Sequence, residues 1–296
     1  MVNALDLVNV SKKFPLFALK DISFNLPPGF IMGFIGQNGA GKTTTLKLIL
    51  NMLRLDQGSI NIFGQDHIQN EKMIKRDLGI VINDNAFVPE WTINELSYLL
   101  KGFYDKWDDT LYRKYLNDFH LDSKLKIKAL SRGMKLKLVI ATALSHDARL
   151  LILDEPTSGL DAVSRDELMD ILADFVSDEQ RAVLFSTHIT VDLERIADYI
   201  TFLKEGKLLF SGTKDELMEK YVMVKGDTNL LNADINDILI GLRTHSVGFD
   251  ALVDRNFASS LPQDIVMYNC SLDDIIIRFG HEKEKKAGLD GERSNG

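Results

Sequence analysis

Two stretches of the chain carry residues able to hold and cleave a phosphate chain. "GQNGAGKTT" matches GxxxxGK(S/T), from Gly36 through Gly41 and Lys42 to Thr43. It follows an apolar run and opens a segment with apolar residues at helical spacing, the context in which this pattern cradles phosphate. Glycines let the backbone wrap closely, so that successive N–H groups can point at phosphate oxygens, and the start of a helix adds partial positive charge. The nucleotide-binding set is then Gly36, Asn38, Gly39, Ala40, Gly41, Lys42, Thr43 and Thr44. Lys42 would reach the β- and γ-phosphates of a bound nucleotide, and the Thr43 hydroxyl would ligate Mg²⁺.

The second stretch is "LLILDEP". Asp154 ends a buried apolar strand, where a carboxylate is costly unless it serves a cation, so it is a candidate to hold Mg²⁺ directly or through water. Glu155 follows. Neighbouring strand residues point oppositely, so Glu155 can aim at the γ-phosphate while Asp154 aims at the metal. That assigns Glu155 as the general base for an attacking water.

These residues need a frame. "FIMGFIG", "RLLILDEP" and "RAVLFSTH" read as buried strands alternating with helices such as "AVSRDELMDILADFVSD" and "VDLERIADYI". The alternation predicts an α/β fold with a mostly parallel sheet covered on both faces. "ITFLKEGKLLFSG" reads as a hairpin turning at Glu205-Gly206. Between about 84 and 147 the pattern is helical, an inserted subdomain. Residues 221–280 read as a small α/β appendage, and 281–296 as a polar, disordered tail.

Composition narrows the class. Hydrophobic residues make up 45% and charged residues 26% of the 296, as in an ordinary packed globule. The net charge of −8 argues against nucleic acid as main partner. The six histidines show no metal-ligand spacing. The single Cys270 excludes an internal disulfide and reads as a small buried hydrophobe. No apolar run approaches the ~20 residues that span a bilayer, and the start lacks the apolar core of a signal peptide.

Residues 4–220 resemble the nucleotide-binding domain of the ABC transporter family. "GQNGAGKTT" is similar to its Walker A, and "LLILDEPTSGLD" to its Walker B and D-loop, the latter being Ser158, Gly159, Leu160 and Asp161. The resemblance implies the P-loop NTPase fold of ABC type, with Phe14 stacking on adenine and His188 contacting the γ-phosphate. "LSRGM" stands where the family has its LSGGQ signature. Ser131, Arg132, Gly133 and Met134 would then belong to a site in trans, each ATP lying between one subunit's Walker A and the other's signature. Arg132 and Met134 depart from the pattern. Arg132 could add a donor to the nucleotide or its ribose, or lie in solvent, and Met134 packs. Asn83 stands where the family usually has a glutamine that reaches Mg²⁺, and is ~1.5 Å shorter in reach. An alternative alignment places Glu90 there.

The function this implies is that of an ATP-hydrolysing subunit, peripheral on the cytoplasmic side of the cell membrane. It would power an integral membrane permease and pair with a second ATP-binding subunit, identical or not. The altered signature, Asn83 and the C-terminal "SLDDIIIRF" look most like bacterial ATPases that serve peptide or antibiotic exporters of the bacitracin and YtrB-like type. The alternatives are a soluble ATPase of this architecture in translation or DNA repair, which a single Walker A and the absence of long heptads disfavour, or a non-hydrolysing regulatory subunit, which Glu155 disfavours. The permease would dock in a groove beside Asn83 lined by the helical block, where Trp91, Phe103, Tyr104 and Trp107 are either core or coupling surface.

Overall fold

The computed structural model describes residues 2–82 and 87–281. Asn83 therefore lies outside the described residues, as does the expected tail except for its first residue, His281. The chain divides into two compact units, residues 1–211 and 212–296. The division falls before the 220/221 boundary expected from the sequence.

The first unit opens with β1 (Leu5–Lys13) and β2 (Ala18–Leu26), an antiparallel pair. β3 (Ile31–Ile35) is buried along its whole length and leads through the phosphate loop into α1 (Lys42–Ile49). β4 (Gln57–Ile62) and β5 (Gln65–Asp66) form a hairpin. Its turn residues Phe63 and Gly64 have φ of 49° and 75°, the paired positive values of a type I′ turn. A short α2 (Glu71–Ile74) precedes β6 (Leu78–Val81).

The helical block follows. α3 (Ile93–Leu100) starts at a capping box, in which Thr92 Oγ1 accepts from Glu95 N (3.1 Å) and Glu95 Oε2 accepts from Thr92 N (2.7 Å). α4 (Asp109–Asp118) is capped by Asp108 and α5 (Arg132–Ser145) by Ser131. Their apolar faces close on Ile93, Leu96, Tyr112, Leu116 and Leu138. Trp91 and Trp107 pack against this cluster, and Tyr104 stacks on His146. Phe103 stays 71% exposed, and Tyr98, not singled out in the sequence, 82%.

β7 (Leu150–Asp154), α6 (Ala162–Val176), β8 (Ala182–Ser186), α7 (Thr190–Ile196), β9 (Tyr199–Lys204) and β10 (Lys207–Thr213) complete the frame. The sequence predicts a helix through "VDLERIADYI", but α7 stops at Ile196. Asp198 brackets Ile31, its N–H donating to Ile31 O (2.9 Å) and its Oδ2 accepting from Ile31 N (2.9 Å). Those two bonds draw the chain into the sheet. β9 and β10 turn at Glu205-Gly206, with φ of 50° and 75°.

The ten strands order as β5-β4-β1-β2-β10-β9-β3-β8-β7-β6. β6, β7, β8, β3 and β9 are parallel, and their runs are apolar because helices cover both faces. β1, β2, β4 and β5 are antiparallel, so the sheet is mixed. Among the described residues no helix is long and apolar enough to cross a membrane.

The second unit begins near α8 (Lys214–Lys220), followed by β11 (Tyr221–Gly226), α9 (Ala233–Ile238), β12 (Ile240–His245), β13 (Gly248–Asp254), β14 (Val266–Tyr268) and α10 (Leu272–His281). Its sheet runs β12-β13-β11-β14 and is antiparallel throughout. Val222 and Val224 pack with Phe249, Ala251 and Ile235 in one cluster. Tyr221, offset by one residue and therefore on the other face, meets Phe279 of α10 edge to face at 5.4 Å. Arg278 of α10 pairs with Asp250 and donates to Gly241 O (3.3 Å). Cys270 is buried, as its composition reading has it.

Candidate functional site

The phosphate loop is held open by backbone geometry. Gly41, at the head of α1, has φ of 111°, and a Cβ there would sit 2.5 Å from Leu19 Cδ2 and 3.0 Å from Phe17 Cζ. Only glycine fits both the torsion and the space. Ala40 N donates to Gln37 O (3.0 Å), and Gly206 N donates to Ala40 O (3.0 Å), so the β9–β10 turn braces the loop. No side chain caps α1, which leaves its first-turn N–H groups, those of Lys42, Thr43 and Thr44, to an anion. Gly36, Asn38 and Gly39 form the loop's other limb, Gly36 and Gly39 with φ of 156° and 82°.

Lys42 is 7% exposed, its Nζ donating to Gly36 O (2.7 Å) and standing 3.5 Å from Glu155 Oε1. A buried ammonium needs such partners, and these sit where anionic oxygens would replace them. Thr43 Oγ1 donates to Asp154 Oδ2 at 2.8 Å. The hydroxyl and carboxylate expected on Mg²⁺ are thus already side by side. Hydroxyl and carboxylate oxygens are the hard donors that Mg²⁺ takes, with phosphate oxygens and water completing its shell, so these residues fit the ion. Among the described residues no group of three or more acidic, histidine or cysteine side chains gathers for a metal.

Glu155 follows β7 with φ of 49°, a conformation that costs a non-glycine residue about 1–2 kcal/mol. It is held by bonds from its N–H to Ser186 O (3.1 Å) and Oγ (3.0 Å). The twist turns its carboxylate from the line of the strand toward Lys42 on one side and His188 on the other, where Nδ1 lies 2.7 Å from Oε2. Ser186 Oγ also donates to Asp154 Oδ1. The sequence reading passed over this serine, although "FSTH" placed it two residues before His188.

Ser131 and Asp161 each cap a helix. Ser131 Oγ accepts from Met134 N (3.2 Å), and Asp161 Oδ1 accepts from Ser164 N (2.9 Å). That N–H holds the Asp161 carboxyl below the usual carboxylate range. A hydroxyl accepts and donates at once, so this cap leaves the Ser131 proton available as a donor. Gly133 lies against the first turn of α6, where a Cβ would be 3.5 Å from Leu160 Cδ2 and from Ser164 Oγ. Arg132 extends along Gly159 and lines a cleft with Lys135, Asp154 and Glu155. Met134 packs against the helical cluster. Ser158 N donates to Glu155 O (3.2 Å), folding the D-loop back on the strand end.

Phe14 is half-buried at the β1–β2 turn, its ring 6.3 Å from Phe17. Phe17, which the sequence reading did not choose, is the aromatic beside Gly41. Glu90 is exposed on the segment leading to α3.

Comparison with known proteins places the chain in a family. Residues 19–158 match the family model described as "ABC transporter". The ABC transporter ATP-binding protein YtrB of Bacillus subtilis is 32% identical over 207 residues, 70% of either chain. The bacitracin transport ATP-binding protein BcrA of Bacillus licheniformis is 33% identical over 67% of this chain and 66% of its own. A solved ATP-binding subunit of an ABC transporter superposes with a TM-score of 0.66 at 27% identity, covering 72% of this chain and 91% of that one. The chain belongs to the ABC transporter family of ATP-binding proteins, ATPases whose hydrolysis is coupled to transport.

Proposed function

We propose that this chain powers an exporter of peptides or antibiotic-like compounds, as one of two ATP-binding subunits beneath an integral membrane permease on the cytoplasmic face. The observation that carries the catalytic part is the Glu155 carboxylate held between the Lys42 ammonium at 3.5 Å and His188 Nδ1 at 2.7 Å. ATP entering the loop takes Lys42 from Gly36 O and from Glu155, for its β- and γ-phosphate oxygens. The freed carboxylate then orients a water and accepts its proton as the oxygen attacks the γ-phosphorus and the bond to the bridging oxygen of ADP breaks. His188, by holding Oε2, leaves Oε1 for the water and presents its other ring nitrogen to the γ-phosphate. Mg²⁺ on Thr43 and Asp154 supplies charge neutralisation of the phosphates when bound. Phe14 offers its face to adenine, and Ser131 and the Gly133 N–H face the nucleotide of the second subunit, so that binding closes the pair and hydrolysis opens it.

Likeness to the bacitracin transport protein supports the cargo class, and the exposed Phe103 and Tyr98 suit a permease contact. Glu155→Gln is expected to keep ATP affinity and lower turnover by about 10²–10⁴-fold. Undiminished turnover would remove Glu155 as base. Cells carrying the chain with its permease should tolerate more of an amphipathic peptide antibiotic, and equal tolerance with the Glu155→Gln chain would overturn the export reading.

A further inference from the structure

We infer that Arg132 is a positioning residue that braces the D-loop turn of its own subunit, and through it the main chain of Glu155. The inference rests on the ATPase reading above. A Cβ on Gly159 would lie 3.0 Å from Arg132 Nη1, 3.7 Å from Cδ and 4.0 Å from Cζ. The guanidinium and the end of its stem therefore lie close against Gly159 of their own chain. Gly159 itself has φ of 74°.

The turn beneath is tied to the base. Ser158 N donates to Glu155 O (3.2 Å), and Leu160 N to Thr157 O (3.1 Å). Asp161 at its end caps α6, and the first turns of α5 and α6 meet at Gly133, Leu160 and Ser164. Arg132 also shares a cleft wall with Asp154 and Glu155. One side chain thus reaches from the loop holding Ser131 and Gly133 onto the turn bonded to Glu155. A glycine at 132 removes that contact. Both residues are exposed, so the contact is a surface brace: the guanidinium steadies the turn, and with it the main chain of Glu155.

The test is a double-mutant cycle on ATP turnover of the full chain. Arg132→Gly is expected to lower kcat about threefold to tenfold with KM for ATP changed less than about twofold, and Arg132→Lys, which keeps stem and charge, to recover at least about half of the loss. Gly159→Ala carries a torsional cost in any background and, in the wild type, also displaces the Arg132 guanidinium from the turn. It should lower kcat about tenfold in the wild type and only about threefold in the Arg132→Gly chain. Strictly multiplicative effects, no recovery with lysine, or a raised KM at unchanged kcat would each overturn the inference, the last by placing Arg132 on nucleotide. A wild-type chain without turnover removes the ATPase reading itself, and the inference with it.

Discussion

At Ser186 one hydroxyl serves two neighbours, donating to Asp154 and accepting from Glu155 N at 3.0 Å. It fixes the rotamer of the expected metal carboxylate and the strained backbone of the expected base together. Loss of such an outer partner typically weakens a metal about 10–100-fold, so Ser186→Ala should raise the Mg²⁺ concentration for half-maximal ATP turnover by about tenfold. A titration of Mg²⁺ at saturating ATP measures it, and an unchanged midpoint would count against Asp154 as ligand. The phosphate loop was legible because its chemistry is local: glycines, lysine and threonine follow one another along the backbone that folds around the anion. Ser186 was not, because it lies 32 positions from Asp154 and becomes its neighbour only through the parallel register of β7 and β8, which pairs them. Arg132 against Gly159 was hidden for the same reason, since two loops meet there that share no local pattern.

The helical elements were legible through their apolar spacing, to which the structure adds the caps, Thr92 with Glu95 at α3 and Asp108 at α4. The end of α7 was not, because Asp198 breaks the helix by bonding to Ile31 in another strand. One packing contact of the helical block has a pH signature. His146, just past α5, is buried and stacks on Tyr104 at 3.9 Å, and burial pushes its imidazole down to about 4. The unfolded chain takes up this proton near 6.5, while the folded chain resists until about 4. Full stability from this group is thus present above about pH 6.5 and is lost as pH falls through that window, by about 3 kcal/mol at its lower end. His146→Phe keeps a ring for the stack and should flatten the fall in melting temperature between pH 6.5 and 4 relative to the wild type. Parallel profiles would remove this account.

Across the whole molecule, two units have separate cores. The change of pattern at 221 reads as the start of an appendage, while the division falls at 211/212, which assigns α8, with its fully buried Leu217, to the second unit. That unit holds a buried ion pair, Arg278 with Asp250. Removing one partner strands the other, so Asp250→Asn should destabilise the unit by about 3 kcal/mol. Hydrogen exchange should show β11 and β13 losing protection while β3 and β8 keep theirs, and equal protection in both sheets would contradict a load on this pair. The ten-stranded sheet carries a last consequence at its rims. Its outermost strands, β5 and β6, have two and four residues, fewer than any strand between them. So short a rim offers few unpaired main-chain groups to a neighbouring molecule, which guards a crowded cell against edge-to-edge fibrils. It also leaves a second copy of the chain little main-chain ladder to pair with at either rim.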